Sequence, residues 1–302
     1  MTDLSTYGAI GRGRPAWRGF DPAGLPRIPV GGLMVAVALW LLVVLLAQPD
    51  ASPVRSGQDA ISYWAPRLTD PYAQADWTTT GAYVYSPAFL QLVSPLQNLP
   101  WLAFVGVWTA ILLLALRYLT GPRLFVLGAL LATGELIGGN ISLLLAVAIV
   151  VGFRWPAAWA LILLTKVTPG IGLLWFAARG EWRNLSIALG ATAVVFAVSA
   201  AIMPWAWAEW IGVLMSISGR GGTWAAVPIP LLVRVPFAIA VVVWGARTDR
   251  RWAVPVGCML ALPALWYGGL TMLLAIIVLR ERPSDPAKSP ASVSVAPIAV
   301  SA

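Results

Sequence analysis

The sequence predicts an all-α protein, a polytopic bundle of transmembrane helices. Three observations carry this. Hydrophobic residues make up 59% of the 302 and charged residues only 11%, with a mean hydropathy of +0.81; a soluble domain carries about 25% charged residues. Apolar runs long enough to cross a ~30 Å hydrocarbon core recur along the chain. The basic residues lie between those runs, so the net charge of +8 reads as loops held on the inner side rather than as a surface for nucleic acid.

Residues 1–27, with Arg12, Arg14, Arg18 and Arg27, read as a disordered basic cytoplasmic tail. Residues 28–47 are apolar, long enough to span, and followed by no small-residue cleavage site. They are expected to form the first transmembrane helix and to open a helical membrane domain over 28–280. Residues 48–100 then form the first external loop and an interfacial segment. Its acidic residues Asp50, Asp59, Asp70 and Asp76 are interleaved with Tyr63, Trp64, Tyr72, Trp77, Tyr83 and Tyr85. Ile61, Trp64, Ala65 and Leu68 recur at helical spacing, which predicts a short surface helix kinked at Pro66. Residues 101–116 return inward and stop at Arg117 and Arg123.

Two interrupted segments follow. Residues 124–153 carry one charge, Glu135, and a break at Gly138-Gly139-Asn140; residues 155–178 carry one charge, Lys166, followed by Thr168-Pro169-Gly170. Keeping Arg154, Arg179 and Arg183 inside requires an even number of crossings each time. Both segments are therefore expected to be hairpins, with tips at Gly139-Asn140 and at Lys166 to Pro169. The limbs of the second are about 11 residues, or roughly 17 Å, too short for the whole core. The Lys166 tip would then lie below the outer surface, lining a polar cavity. A single helix through Lys166 is the rival reading, and it would put Arg179 and Arg183 outside.

Residues 185–202 run outward, and 203–230, with Trp205, Trp207, Trp210 and Trp224, read as a second external loop with an aromatic belt. Residues 231–244 descend to Arg247, Arg250 and Arg251. Residues 252–279 hold no charge and are interrupted at Pro263 to Gly268, which predicts a last hairpin. Residues 281–302 read as a disordered cytoplasmic tail. The sum is about ten crossings with both termini inside, and it places fifteen of the twenty Lys and Arg residues inside.

Composition excludes several chemistries. There is no histidine, so there is no Ser-His triad and no usual zinc ligand; one cysteine, Cys258, permits no internal disulfide. Asp59 with Asp70 or Asp76 lacks a trustworthy metal-ligand spacing. No metal or other cofactor is expected. Asp59, at a membrane surface, is placed to take a proton from a substrate hydroxyl, or else it only caps and solvates a short helix. Charges within the apolar segments are costly unless used. Lys166 therefore reads as functional, Glu135 either pairs with Lys166 or lines the site, or else snorkels or hydrogen-bonds Asn140, and Arg234 either meets an anion or snorkels to the interface.

The order of short motifs resembles glycosyltransferase family 87, polyprenol-phosphate-mannose-type enzymes of the GT-C superfamily. The motifs are Gly57-Gln58-Asp59 with Tyr63, then Tyr83-Val84-Tyr85-Ser86-Pro87, and Gly139-Asn140-Ile141-Ser142. Leu164-Thr165-Lys166-Val167-Thr168-Pro169 follows, then Arg179-Gly180-Glu181-Trp182-Arg183, and last the Pro263 to Tyr267 stretch with Trp266. The resemblance implies a GT-C-like fold and a polyprenyl-phosphate sugar donor, with mannose as the hexose. It further implies inverting transfer to a lipid or glycan acceptor on the outer face of the cell membrane. Under it Asp59 is the base. Lys166, Arg234 and Thr168 are candidates for the leaving phosphate. Gln58, Tyr63, Tyr85, Glu135, Asn140, Trp266 and Tyr267 line the site. A transporter or flippase shares broken helices and isolated charges, but no internal repeat is present. A non-catalytic assembly subunit is the third class.

Overall fold

The computed structural model describes residues 57–73, 81–218 and 229–280. The expected first transmembrane helix, both tails, Asp76, Arg220 and Trp224 lie outside the described residues. Among the described residues every regular element is helical.

The chain enters through a turn at Gly57, whose φ of 92° suits glycine, into the one-turn helix α1 (Ile61–Trp64). The helical spacing out to Leu68 is not used. Pro66 does not kink the helix but follows its end, because a proline cannot donate to the preceding turn. Ser86 caps α2 (Pro87–Gln97), its Oγ accepting from the Phe89 N–H with Pro87 at the first turn. Helix α3 (Trp101–Leu131) runs past Arg117, beyond the predicted stop, and breaks only at Gly121 (φ 63°) before Pro122. Glycine supplies the left-handed turn and proline starts the next stretch without an N–H to satisfy.

The two interrupted segments break where the sequence breaks. Helix α4 (Thr133–Gly138) ends on left-handed Gly139, and α5 (Ser142–Gly152) resumes after Asn140. Helix α6 (Trp159–Thr165) ends at Lys166. A 3₁₀ turn (Thr168–Leu173) and α7 (Leu174–Ala178) follow. This second segment folds back on itself. Gly170 lies against Leu163, Gly172 against the Trp159 ring, and Phe176 against Trp159. Phe153 stacks edge-on to Trp175 and Phe176, so both ends of the segment meet.

Helix α8 (Trp182–Ile202) starts three residues before the expected position. Residues 203–230 are not simply a loop, because α9 (Pro204–Ser218) occupies their first half. Trp207 and Trp210, one turn apart, are buried rather than belted at an interface. Trp207 Nε1 donates to Ser199 Oγ and Trp210 Nε1 to the Val84 carbonyl. Helix α10 (Leu231–Arg247), α11 (Ala253–Leu260), a 3₁₀ stretch (Tyr267–Leu274) and α12 (Ala275–Arg280) complete the bundle.

Helices α3 and α8 are long and apolar enough to cross a membrane. Helix α8 is apolar all round yet has only Ala188 and Ser199 buried. Val194, Val198 and Ile202 are each more than half exposed. Such a surface needs an apolar medium rather than water. The bundle also separates its charges by end. At one end Arg179 pairs with Glu181 and Asp249, Arg251 lies over Phe153 and Arg280 over Trp252. The other end holds Asp59, Asn140 and Lys166.

Candidate active site

The site is built on the break between α4 and α5. Gly139 N donates to the Glu135 carbonyl and so closes α4. Its φ of 73°, with an ideal Cβ only 2.6 Å from Ala60 Cβ, leaves room for glycine alone. The turn over residues 57–60 docks on this closure. Gly57 N donates to the Ile137 carbonyl, and the Asp59 and Ala60 amides both donate to the Gly138 carbonyl. Trp108 Nε1, from α3, donates to the Gly139 carbonyl at 2.7 Å. Five hydrogen bonds and one close packing contact thus set Asp59 beside Asn140.

Asn140 joins what lies on either side. Its Nδ2 donates to Asp59 Oδ2 at 2.9 Å. Its Oδ1 accepts from Ile141 N, Ser142 Oγ and, at 3.4 Å, the Lys166 ammonium. Carboxylate and ammonium, 107 positions apart in the chain, meet through one amide. Lys166 is held there because α6 ends at that residue, and Ser86 Oγ donates to the Leu164 carbonyl two residues earlier. Thr165 is engaged, its Oγ1 donating to the Leu161 carbonyl. Thr168 Oγ1 is buried with no hydrogen-bond partner. The turn after Pro169 is 3₁₀ rather than α, so the formal positive charge here comes from Lys166 and not from a long helix axis.

Glu135, on α4, is 1% exposed. Its Oε1 accepts from Leu143 N at 3.2 Å, and Oε2 has no partner. No ion pair within 4.0 Å joins it to Lys166, and its only link to Asn140 is the backbone bond from Asn140 N to the Glu135 carbonyl. Gly268 approaches so closely that a Cβ there would lie 2.5 Å from Glu135 Oε2.

Tyr63 and Tyr85 form the apolar wall. Their hydroxyls are 3.2 Å apart and their rings meet edge-on at 5.3 Å. Tyr72 OH donates to the Tyr85 carbonyl, and Tyr83 OH to that of Ser86. Burial first, then the Tyr85 phenol and the Asp59 carboxylate, raises the proton affinity of Tyr63 above the ordinary phenol; burial and the Asp59 carboxylate raise that of Tyr85, against its hydrogen bond with Tyr63, which lowers it. Both remain neutral hydroxyls at physiological pH. Gln58 is exposed beside Asp59; Trp266 and Tyr267 are exposed on the turn that leads to Gly268.

Arg234 is not brought to this cluster as a free cation. Its guanidinium is buried and donates to the carbonyls of Ile229, Leu260 and Pro263. It closes the end of α11 and fixes the Pro263 turn. Two contributors escaped the sequence reading of the site: Trp108, whose indole N–H clamps Gly139, and Gly268. The cap at Ser86 was not read from the sequence either, although a Ser-Pro pair is a helix-start signal, and a hydroxyl reaching a carbonyl 78 residues away leaves no local signal.

A carboxylate and an ammonium brought to one break in an apolar helical chain define a class: a membrane-associated protein with a polar, partly charged site. The comparison with known families is specific. The model of glycosyltransferase family 87 matches residues 83–301, and the chain belongs to that family. The match contains Tyr85, Glu135, Asn140, Lys166 and Thr168, while Asp59 and Tyr63 precede it. No curated protein and no solved structure matches the chain.

Proposed function

We propose that this glycosyltransferase moves a hexose, mannose by preference, from a polyprenyl-phosphate sugar to a lipid or glycan acceptor, with inversion, on the outer face of the cell membrane. Asp59 is the base. It takes the proton of the acceptor hydroxyl while that oxygen bonds to the anomeric carbon. The bond from that carbon to the phosphate oxygen breaks, and its electron pair leaves with the polyprenyl phosphate. Lys166 stabilises the charge that develops there, and Thr168 offers the phosphate a hydroxyl donor. Asn140, Glu135, Tyr63 and Tyr85 line the space between, with Gln58, Trp266 and Tyr267 at its rim. Arg234, engaged by three carbonyls, acts on this site through the Pro263 turn that carries Trp266 and Tyr267.

The observation that carries this reading is the Asn140 bridge. Asp59 and Lys166 are each hydrogen-bonded to the Asn140 amide, and a carboxylate and an ammonium gathered at one place suit a transfer that needs both a base and a cation. The segregation of Arg154, Arg179, Arg251 and Arg280 toward the opposite end supports an outward-facing site. It is also the arrangement expected of about ten crossings with both termini inside.

The test uses purified full-length protein in detergent with polyprenyl phosphate carrying radiolabelled mannose, and octyl α-mannoside as acceptor. Transfer of label to the mannoside is expected. Binding of the donor without turnover would instead indicate a transporter or an assembly subunit.

A further inference from the structure

We propose that Asn140 is a positioning residue, whose amide aims one oxygen of Asp59 at the acceptor and holds it in register with the Lys166 ammonium. This rests on the reading of Asp59 as the base.

The backbone of Asn140 is fixed before its side chain acts. Gly139 ends α4, Trp108 holds the Gly139 carbonyl, and the Gly138 carbonyl receives two amides of the Asp59 turn. The relative placement of Asp59 and Asn140 therefore does not depend on the amide. The amide's orientation is then determined by what surrounds it. Three donors converge on Oδ1: Ile141 N at 2.7 Å, Ser142 Oγ at 3.2 Å and Lys166 Nζ at 3.4 Å. Rotating the amide by half a turn would set its NH₂ against two obligate donors and its oxygen against the Asp59 carboxylate. Nδ2 must face Asp59, and it meets Oδ2 at 2.9 Å.

Among the described residues, Asp59 is thus held by one oxygen. Oδ1 receives no hydrogen bond from any described residue, so it is the atom left for the acceptor hydroxyl. A single anchored oxygen restricts the carboxylate's rotation, and such restriction separates a positioned base from a solvated one. Aspartate at position 140 could not do this, because it would present an acceptor to an acceptor. The charged and titratable groups that surround Asp59 are Glu135 on α4, Lys166 at the end of α6, and the Tyr63 and Tyr85 phenols. None of these donates to Oδ2.

The experiment uses full-length protein in lipid nanodiscs and two readouts. In the first, carbodiimide with glycine ethyl ester labels protonated carboxyls across a pH series, and mass spectrometry quantifies Asp59. This needs no substrate. In the second, kcat and KM are measured with polyprenyl phosphomannose and octyl α-mannoside. Asn140→Ala removes a donor to the charged carboxylate. The labelling midpoint of Asp59 is expected to rise by about one pH unit or more, and kcat to fall about 10- to 100-fold with donor KM little changed. Asn140→Asp adds a like charge and should raise the midpoint further. It is nearly isosteric and carries the same readout if Asn140→Ala does not fold. An unchanged midpoint in the folded variants, whatever their melting temperature, overturns the proposal. Asp59→Asn separates the two readings. Unmoved labelling with an inactive Asp59→Asn overturns Asn140's role alone. Shifted labelling with a fully active Asp59→Asn overturns the base instead.

Discussion

Lys166 and Glu135 are the two charges that the apolar hairpin segments tolerate, and they do not form an ion pair with each other. A charge kept in an apolar segment without an opposite charge beside it is costly unless function needs it. Lys166→Ala is accordingly expected to weaken use of a phosphosugar donor by roughly 10- to 150-fold, the loss of a hydrogen bond to a charged group. Lys166→Arg should restore part of this, since the charge stays while the compact geometry changes. Were Lys166 present only to neutralise Glu135, the double change Lys166→Met with Glu135→Leu would regain full activity. The expected result is a double variant as impaired as Lys166→Ala; donor KM and kcat from steady-state transfer check it. At this scale the sequence was informative wherever a charge interrupts an apolar run, as at Lys166 and Glu135. It could not distinguish Lys166 from Arg234. The difference lies in three backbone carbonyls that surround one guanidinium and not the other ammonium.

The element that organises the site is the Gly139 break. Helix α4 must end in a left-handed residue, and the Asp59 turn packs where a side chain would stand. Gly139→Ala combines a left-handed alanine, at about 1–2 kcal/mol, with a methyl 2.6 Å from Ala60 Cβ. The expected outcome is a lower melting temperature and, in whatever folds, a loss of turnover exceeding that of Gly134→Ala, whose added Cβ meets nothing within 4 Å. Thermal unfolding followed by tryptophan fluorescence, with transfer assays on both variants, checks this. Breaks of this kind are readable in sequence because glycine and proline interrupt an otherwise unbroken apolar pattern. Helix α9 was not readable in the same way. Tryptophans one turn apart suit an interfacial belt and a buried helix face equally well, and only the partners Ser199 and Val84 decide between them.

At the scale of the whole molecule, the proposed topology follows from where the arginines gather. The second hairpin brings Phe153 to Trp175 and Phe176, which sets Arg154 and Arg179 at one end of the bundle. With Cys258→Ala as background, Arg154→Cys, Gly180→Cys and Arg247→Cys are expected to resist an impermeant thiol reagent added to intact cells. Asp59→Cys and Arg220→Cys should react. Labelling at position 180 from outside would restore a single helix through Lys166. Overall helicity and membrane character were readable from composition and run length, because both depend on summed hydrophobicity. The number of crossings depends on how short limbs seat in the bilayer, which run length alone does not set.

The most direct test of the account is Asp59→Asn, nearly isosteric and unable to accept the proton as a carboxylate does. Transfer from polyprenyl phosphomannose should fall by about 10²- to 10⁴-fold, the usual loss on removing a positioned base, with expression and donor binding retained. Wild-type turnover in Asp59→Asn would contradict it.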